Sequence, residues 1–277
     1  NTYIKSNLNM PILTTIHGIL DEEAIKSLEK IHKARKNNKP VYLNTISFSQ
    51  KKLFEKIFPA DFVIYNAIET EAYPFEEKKN NYLFSLGQIH ERKGQDTCID
   101  VAKRLEEKLV IAGPLLFFRE YIKKFWEEKL EPRMDQIYTN IPPAKIKQFI
   151  EEFERSNNQI IYVGELNDAQ KKEWFKYSKG FLMPIKFDEP FGLVMIESMA
   201  CGTPVVAYEG GAVPEIVLNN KTGYVIEKDN FEEFINGVKK IERINPYECR
   251  KKVLKNFDIK KQAENYVNIF REIINKR

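Results

Sequence analysis

The chain has 277 residues, 43% of them hydrophobic, enough to bury a sizeable core in one large domain or two smaller ones, and this excludes a disordered protein. Its 44 Lys and Arg nearly balance its 40 Asp and Glu, and the charges are interspersed along helical stretches, which argues against a nucleic-acid binder. The net +4 leaves open a basic patch facing a phosphate-rich ligand or an anionic membrane surface.

Taken from the N-terminus, Asn1 is not an initiator methionine and residues 2–10 lack the layout of a signal peptide, which points to missing upstream sequence. From there, short β-branched runs alternate with amphipathic stretches of ten or more residues, the pattern of parallel strands joined by crossover helices, so the class is α/β. Strands are expected over 12–16, 41–46, 62–65, 82–86, 109–112, 160–163, 181–184 and 204–207, with helices between them. The helix over 21–36 opens in Asp-Glu-Glu and closes in Lys and Asn, as the helix dipole favours.

A composition change at 69–81, containing Pro74 and a run of charges, marks a boundary. It divides residues 1–75, the remainder of a first Rossmann-like domain, from 76–255, a complete second one with five strands, leaving 256–277 as a terminal helix. That helix carries Ala263, Val267, Phe270 and Ile274 at three- and four-residue spacing, which predicts one packed face. An aromatic stripe at Phe117, Phe118, Tyr121, Ile122, Phe125 and Trp126 reads first as core, with membrane-surface or acceptor contact as the alternative.

Cys98, Cys201 and Cys249 offer neither a disulfide framework nor the spacing of a zinc site, so a reducing cytosol fits best. The longest apolar run, 109–118, contains Gly113 and Pro114 and falls short of the roughly 20 residues that span a bilayer. No membrane crossing is expected, and peripheral association at the cytoplasmic face stays open.

The most informative segment is Asp188-Glu189-Pro190-Phe191-Gly192-Leu193-Val194-Met195-Ile196-Glu197, continuing through Gly202 to Pro204. It is expected to begin a helix with Pro190 at its first position, which would set Glu189 and Glu197 about 12 Å apart along one axis. Each carboxylate then matches a vicinal diol, and the amides of Phe191, Gly192 and Leu193 face a diphosphate between them. Taken alone, the two acids read equally well as an ordinary helix-start residue and a solvated helix residue.

A second strand-to-helix turn runs from Leu86 to Gly94 and includes Gln88, Arg92 and Lys93. Lys93 can place an ammonium on a diphosphate, against the simpler reading of a solvated lysine. His17, at the end of the first strand, can hydrogen-bond a sugar hydroxyl, and a structural histidine fits there nearly as well. Gly210-Gly211 before Glu215 reads most simply as a turn into another helix.

The segment from Glu189 to Pro204 closely resembles the EPFGLxxxEAMACGTPVV signature of retaining family 4 glycosyltransferases with the GT-B fold. Thr15-Ile16-His17-Gly18, Ile46-Ser47 with Ser49-Gln50, Ile64-Tyr65-Asn66, Leu86-Gly87 with Lys93-Gly94, and Tyr162-Val163-Gly164-Glu165 follow the family's order. The resemblance implies two facing Rossmann-like domains with parallel sheets, the first incomplete, and a terminal helix that crosses back to the first. It also implies metal-independent transfer of a hexose, with retention, from a nucleoside-diphosphate-sugar carrying UDP or GDP to a carbohydrate, lipid or small-molecule acceptor. No cofactor is implied.

By the same resemblance Glu189 contacts the donor sugar, Glu197 the ribose, Lys93 the diphosphate and His17 the sugar from the other side. Gln88 departs from the family, which usually has an arginine there, and Arg92 is the candidate to compensate. The alternative function is a nucleotide-sugar-binding module that does not catalyse. An epimerase or phosphorylase of the same architecture is disfavoured by the paired glutamates and the lack of an obvious cofactor lysine.

Overall fold

The computed structural model describes residues 10–19, 21–55 and 58–275, so residues 1–9, with their expected lack of a signal peptide, lie outside it. Two parallel sheets organise the chain. The first has three strands, β1 (Ile12–Ile16), β2 (Val41–Thr45) and β3 (Phe62–Val63), side by side in that order. Helix α1 (Glu22–Lys36) starts where Asp21 accepts the Ala24 amide at 2.8 Å, and acids in its first turn with bases in its last complement its dipole. Its buried Leu28 and Ile31 meet Leu43 and Phe54, the latter from α2 (Phe48–Glu55), in a small core of their own.

The second sheet has seven strands, not the five expected. β4 (Leu83–Leu86), β5 (Leu109–Ala112), β6 (Gln136–Ile137), β7 (Ile160–Tyr162), β8 (Gly180–Met183), β9 (Val205–Tyr208) and β10 (Gly223–Ile226) lie in the order β10-β9-β8-β4-β5-β7-β6. β6 is two exposed residues without an apolar run, and β10, Gly-Tyr-Val-Ile at the other edge, is a short run that follows a turn, whereas β5 and β9 are buried throughout. Helices α3 (Gln95–Leu105), α4 (Glu120–Phe125), α5 (Pro143–Arg155) and α6 (Asp168–Tyr177) lie between strands, and Phe84, Trp174, Phe175 and Phe181 interlock in the main core.

The sheet order reverses at β4, which is flanked by β5 on one side and β8 on the other. Open parallel sheets bind ligands at the carboxyl ends of strands beside such a reversal. The two expected site segments leave β4 and β8, so this topology places both at that crevice.

The C-terminal helix follows α7 (Leu193–Ala200), α8 (Val213–Ile216), α9 (Phe231–Lys239) and α10 (Pro246–Asn256), and as α11 spans Ile259–Asn275. It returns to the first sheet, where Tyr266 and Thr15 share a hydrogen bond of 3.0 Å and Gln262 donates to Tyr65 O at 2.7 Å. The expected packed face is corrected: Val267, Phe270 and Ile274 are exposed, and Ile273 is buried instead. Asp258, which accepts the Thr70 amide, and Gln262 fix the rotation of the helix, and these polar bonds outrank its apolar stripe. The aromatic stripe divides likewise. Ile122, Phe125 and Trp126 are buried, whereas Phe117 and Phe118, which precede α4, and Tyr121, on its outer face, are exposed.

Lys79, in the connection between the sheets, donates to Lys176 O, Cys201 O and Thr203 Oγ1 at 2.9, 2.8 and 3.0 Å. Burial lowers its pKa from 10.5 to about 8. The unfolded chain therefore holds the proton more tightly between these values, and its cost to folding, full below pH 8, is relieved as pH rises to 10.5. Lys79→Met is expected to remove roughly 3 kcal/mol of that pH-dependent gain. Urea melts of both proteins across the window test this, and parallel pH profiles refute it.

Candidate active site

The turn after β4 reaches Lys93 through a short 3-10 turn, Glu91–Lys93, in which the Arg92 amide donates to His90 Nδ1 at 3.1 Å. Burial and the neighbouring Arg92 lower the His90 pKa, keeping that nitrogen an acceptor. From the loop after β8, Glu189 Oε2 accepts a hydrogen bond from Lys93 Nζ at 3.1 Å, with side-chain exposures of 14% and 32% respectively. Lys93 Nζ also lies 4.7 Å from the Phe187 ring centre, and the Arg92 guanidinium faces the same ring at 5.7 Å. Two residues distant by 96 positions thus form one electrostatic unit at the crevice.

The helix that follows differs from the expectation. α7 begins at Leu193, with Gly192 ahead of it at φ +87°, so Glu189 and Pro190 lie in an extended loop and not on the helix. A β-carbon at Gly192 would stand 2.5 Å from Met195 Cε and 3.2 Å from Glu189 Cγ, which is why the chain tightens only there. The 12 Å helical separation of Glu189 and Glu197 therefore does not apply. The first amides of α7 have no intrahelical partner and carry the positive end of the dipole, while Leu193 is exposed and Phe191 is buried against Tyr65 and Phe257.

Glu197 is not brought to the Lys93–Glu189 pair. It is 6% exposed, and its Oε1 accepts from Tyr73 at 3.0 Å and Lys171 at 2.6 Å. Burial opposes the Lys171 charge, but the hydrogen bond and charge of Glu197 outweigh it and hold that pKa above its ordinary value. Burial together with Glu197 likewise keeps the Tyr73 phenol protonated. His17 is exposed at the end of β1, and among the described residues no hydrogen bond or ion pair joins it to Lys93 or Glu189. Gln88 is half-buried, and its Nε2 is a buried donor without a protein partner. Such an orphan donor is costly unless something outside the protein accepts from it.

Tyr73, Lys171, Phe187 and Glu215 complete the surroundings, and sequence reasoning did not single out the first three. Lys171 and Tyr73 sit on different elements from Glu197, at separations of 26 and 124 residues, so no local spacing signals them. Phe187 alone had a signal, as an aromatic two residues before Glu189. A cavity of about 600 Å³ opens elsewhere, between Asn80, Lys179, Ile241 and Pro246 at the amino ends of the strands, and contains none of the site residues.

Parallel sheets, the reversal at β4 and the fold as a whole match the GT-B architecture. Residues 68–257 match the family Glycosyl transferases group 1, and the chain belongs to that family. An uncharacterized glycosyltransferase, MJ1178, of Methanocaldococcus jannaschii is 24% identical over 90% of this chain and 62% of its own length. A probable sucrose-phosphate synthase of Thermosipho melanesiensis is 26% identical over 74% of this chain and 48% of its own. The chain thus spans about half to three-fifths of these relatives. Among solved structures, Anabaena Alr3699/HepE in complex with UDP superposes with a TM-score of 0.71 at 18% identity, covering 95% of this chain and 72% of that one. Sucrose-phosphate synthase from Thermosynechococcus elongatus gives 0.69 at 17% identity, covering 100% and 71%. Among the described residues, no helix is long and apolar enough to cross a membrane.

Proposed function

We propose that the chain transfers a hexose from a nucleoside-diphosphate-sugar to an acceptor, with retention and without a metal, in a reducing cytosol. The observation that carries this reading is the Lys93–Glu189 pair at the crevice beside β4. The ammonium has three donors, so Lys93 can keep Glu189 on one and offer the others to a diphosphate. Held in this way, it meets the charge that grows on the leaving group without first being ordered. Glu189 orients the sugar hydroxyls, His17 approaches the sugar from the first sheet, and the leaving phosphate takes the acceptor's proton. The start of α7, with the amides of Gly192 and Leu193, adds a positive dipole end. Glu197 reaches the ribose from its seat beside Lys171.

The family match and the UDP bound in the Anabaena structure support a nucleotide-sugar donor. Incubating the chain with UDP- and GDP-hexoses in a chelator, then following nucleoside diphosphate release and the anomeric form of the product, tests the reaction. Binding without transfer selects the alternative, a donor-binding module. The orphan amide of Gln88 supports a contact with the donor. Gln88→Arg is expected to tighten nucleoside diphosphate binding by about tenfold, because a guanidinium grips phosphate in bidentate fashion. Calorimetry reads this, and weaker binding would show that the pocket is built around the amide.

A further inference from the structure

One carboxylate of the second half gathers three donors from the first. Glu215, half-buried on α8 in the second sheet's half, accepts the backbone amides of Phe48 at 2.9 Å and Ser49 at 2.7 Å, and the Tyr65 hydroxyl at 2.9 Å. Both amides open α2, so an acid from one half caps a helix of the other. Beside it, Ser47 Oγ donates to Pro190 O at 2.7 Å, the residue after Glu189. Burial and the Glu215 charge together raise the Tyr65 pKa, so that phenol remains a donor.

Both ends of this link reach the site. On one side Glu215 stands four residues after Gly211, and the Ala212 amide holds Glu189 O at 2.8 Å. On the other, Gln50 of α2 is buried, and its Nε2 holds Gly18 O at 2.8 Å, next to His17. We infer that Glu215 is a positioning residue for transfer, a strut that sets the loop carrying His17 against the Glu189 backbone. The inference rests on the transfer reading above. Glu215 touches no reacting atom in this scheme. It acts on geometry between the halves, and the nucleoside diphosphate site on the second half stays intact without it.

Glu215→Ala is therefore expected to lower kcat by about a hundredfold, the scale of a 1 Å misplacement, while the nucleoside diphosphate Kd moves by no more than about threefold. Glu215→Gln, which keeps one acceptor oxygen, is expected to fall between the two and serves alone if the alanine variant does not fold. An unchanged kcat, or a Kd that rises as far as kcat falls, overturns the proposal. Amide hydrogen exchange at Phe48 and Ser49 reads the strut without activity. Faster exchange in Glu215→Gln supports it and unchanged exchange overturns it, so a wild type that transfers no sugar defeats the functional reading and leaves the strut still decided.

Discussion

Lys93→Ala is expected to lower sugar transfer by at least about a hundredfold, close to 3 kcal/mol of lost transition-state stabilisation. The ammonium stands on Glu189 and over Phe187, both from the loop after β8, and its removal leaves the crevice without the cation nearest that loop's acid. Glu189→Ala is expected to act on the same scale, because its carboxylate is the partner that holds Lys93 in place. The double variant should lose much less than the product of the two, since the side chains work as one unit. Steady-state release of nucleoside diphosphate from the three variants measures this. A near-normal rate in either single variant refutes the roles assigned to the pair.

Gly211→Ala is the second large expectation. Gly211 sits at φ +58°, and a β-carbon there would stand 2.2 Å from Glu189 O and 2.5 Å from Glu189 N. Neither contact involves a flexible side chain, so the Glu189 backbone has to move. The left-handed conformation adds about 1–2 kcal/mol of its own. Transfer is expected to fall by about a hundredfold, as for any 1 Å displacement of a group that orients the reacting sugar. A thermal melt that still shows a cooperative transition, together with the rate, separates displacement from unfolding. A full rate in a folded Gly211→Ala protein shows that Glu189 does not need its observed place.

The site was legible in part. Lys93 and Glu189 each stand at a strand-to-helix turn with a motif around them, and the structure brings them to hydrogen-bonding distance. Glu197 was legible as a residue but not as a neighbour, since Lys171 and Tyr73 reach it from other elements. Gly192 explains the helix start. A glycine in the left-handed conformation ended the extended loop three residues later than the proline suggested. The Glu215 link had no signal beyond a turn, because a cap supplied by another half of the molecule leaves no mark at the helix it caps.

By itself the sequence determined the α/β class, five of the seven strands of the larger sheet in outline, and the two turns that carry Lys93 and Glu189. Periodicity and turn chemistry are local properties, and they survive in one dimension. Only the tertiary structure decided which side chains meet: Lys93 with Glu189, Glu197 with Lys171, Glu215 with α2, and the polar bonds at Asp258 and Gln262 that turned the apolar stripe of α11 outward. Those choices depend on the order of strands and on which buried polar groups find partners, and both are settled by packing across many residues at once.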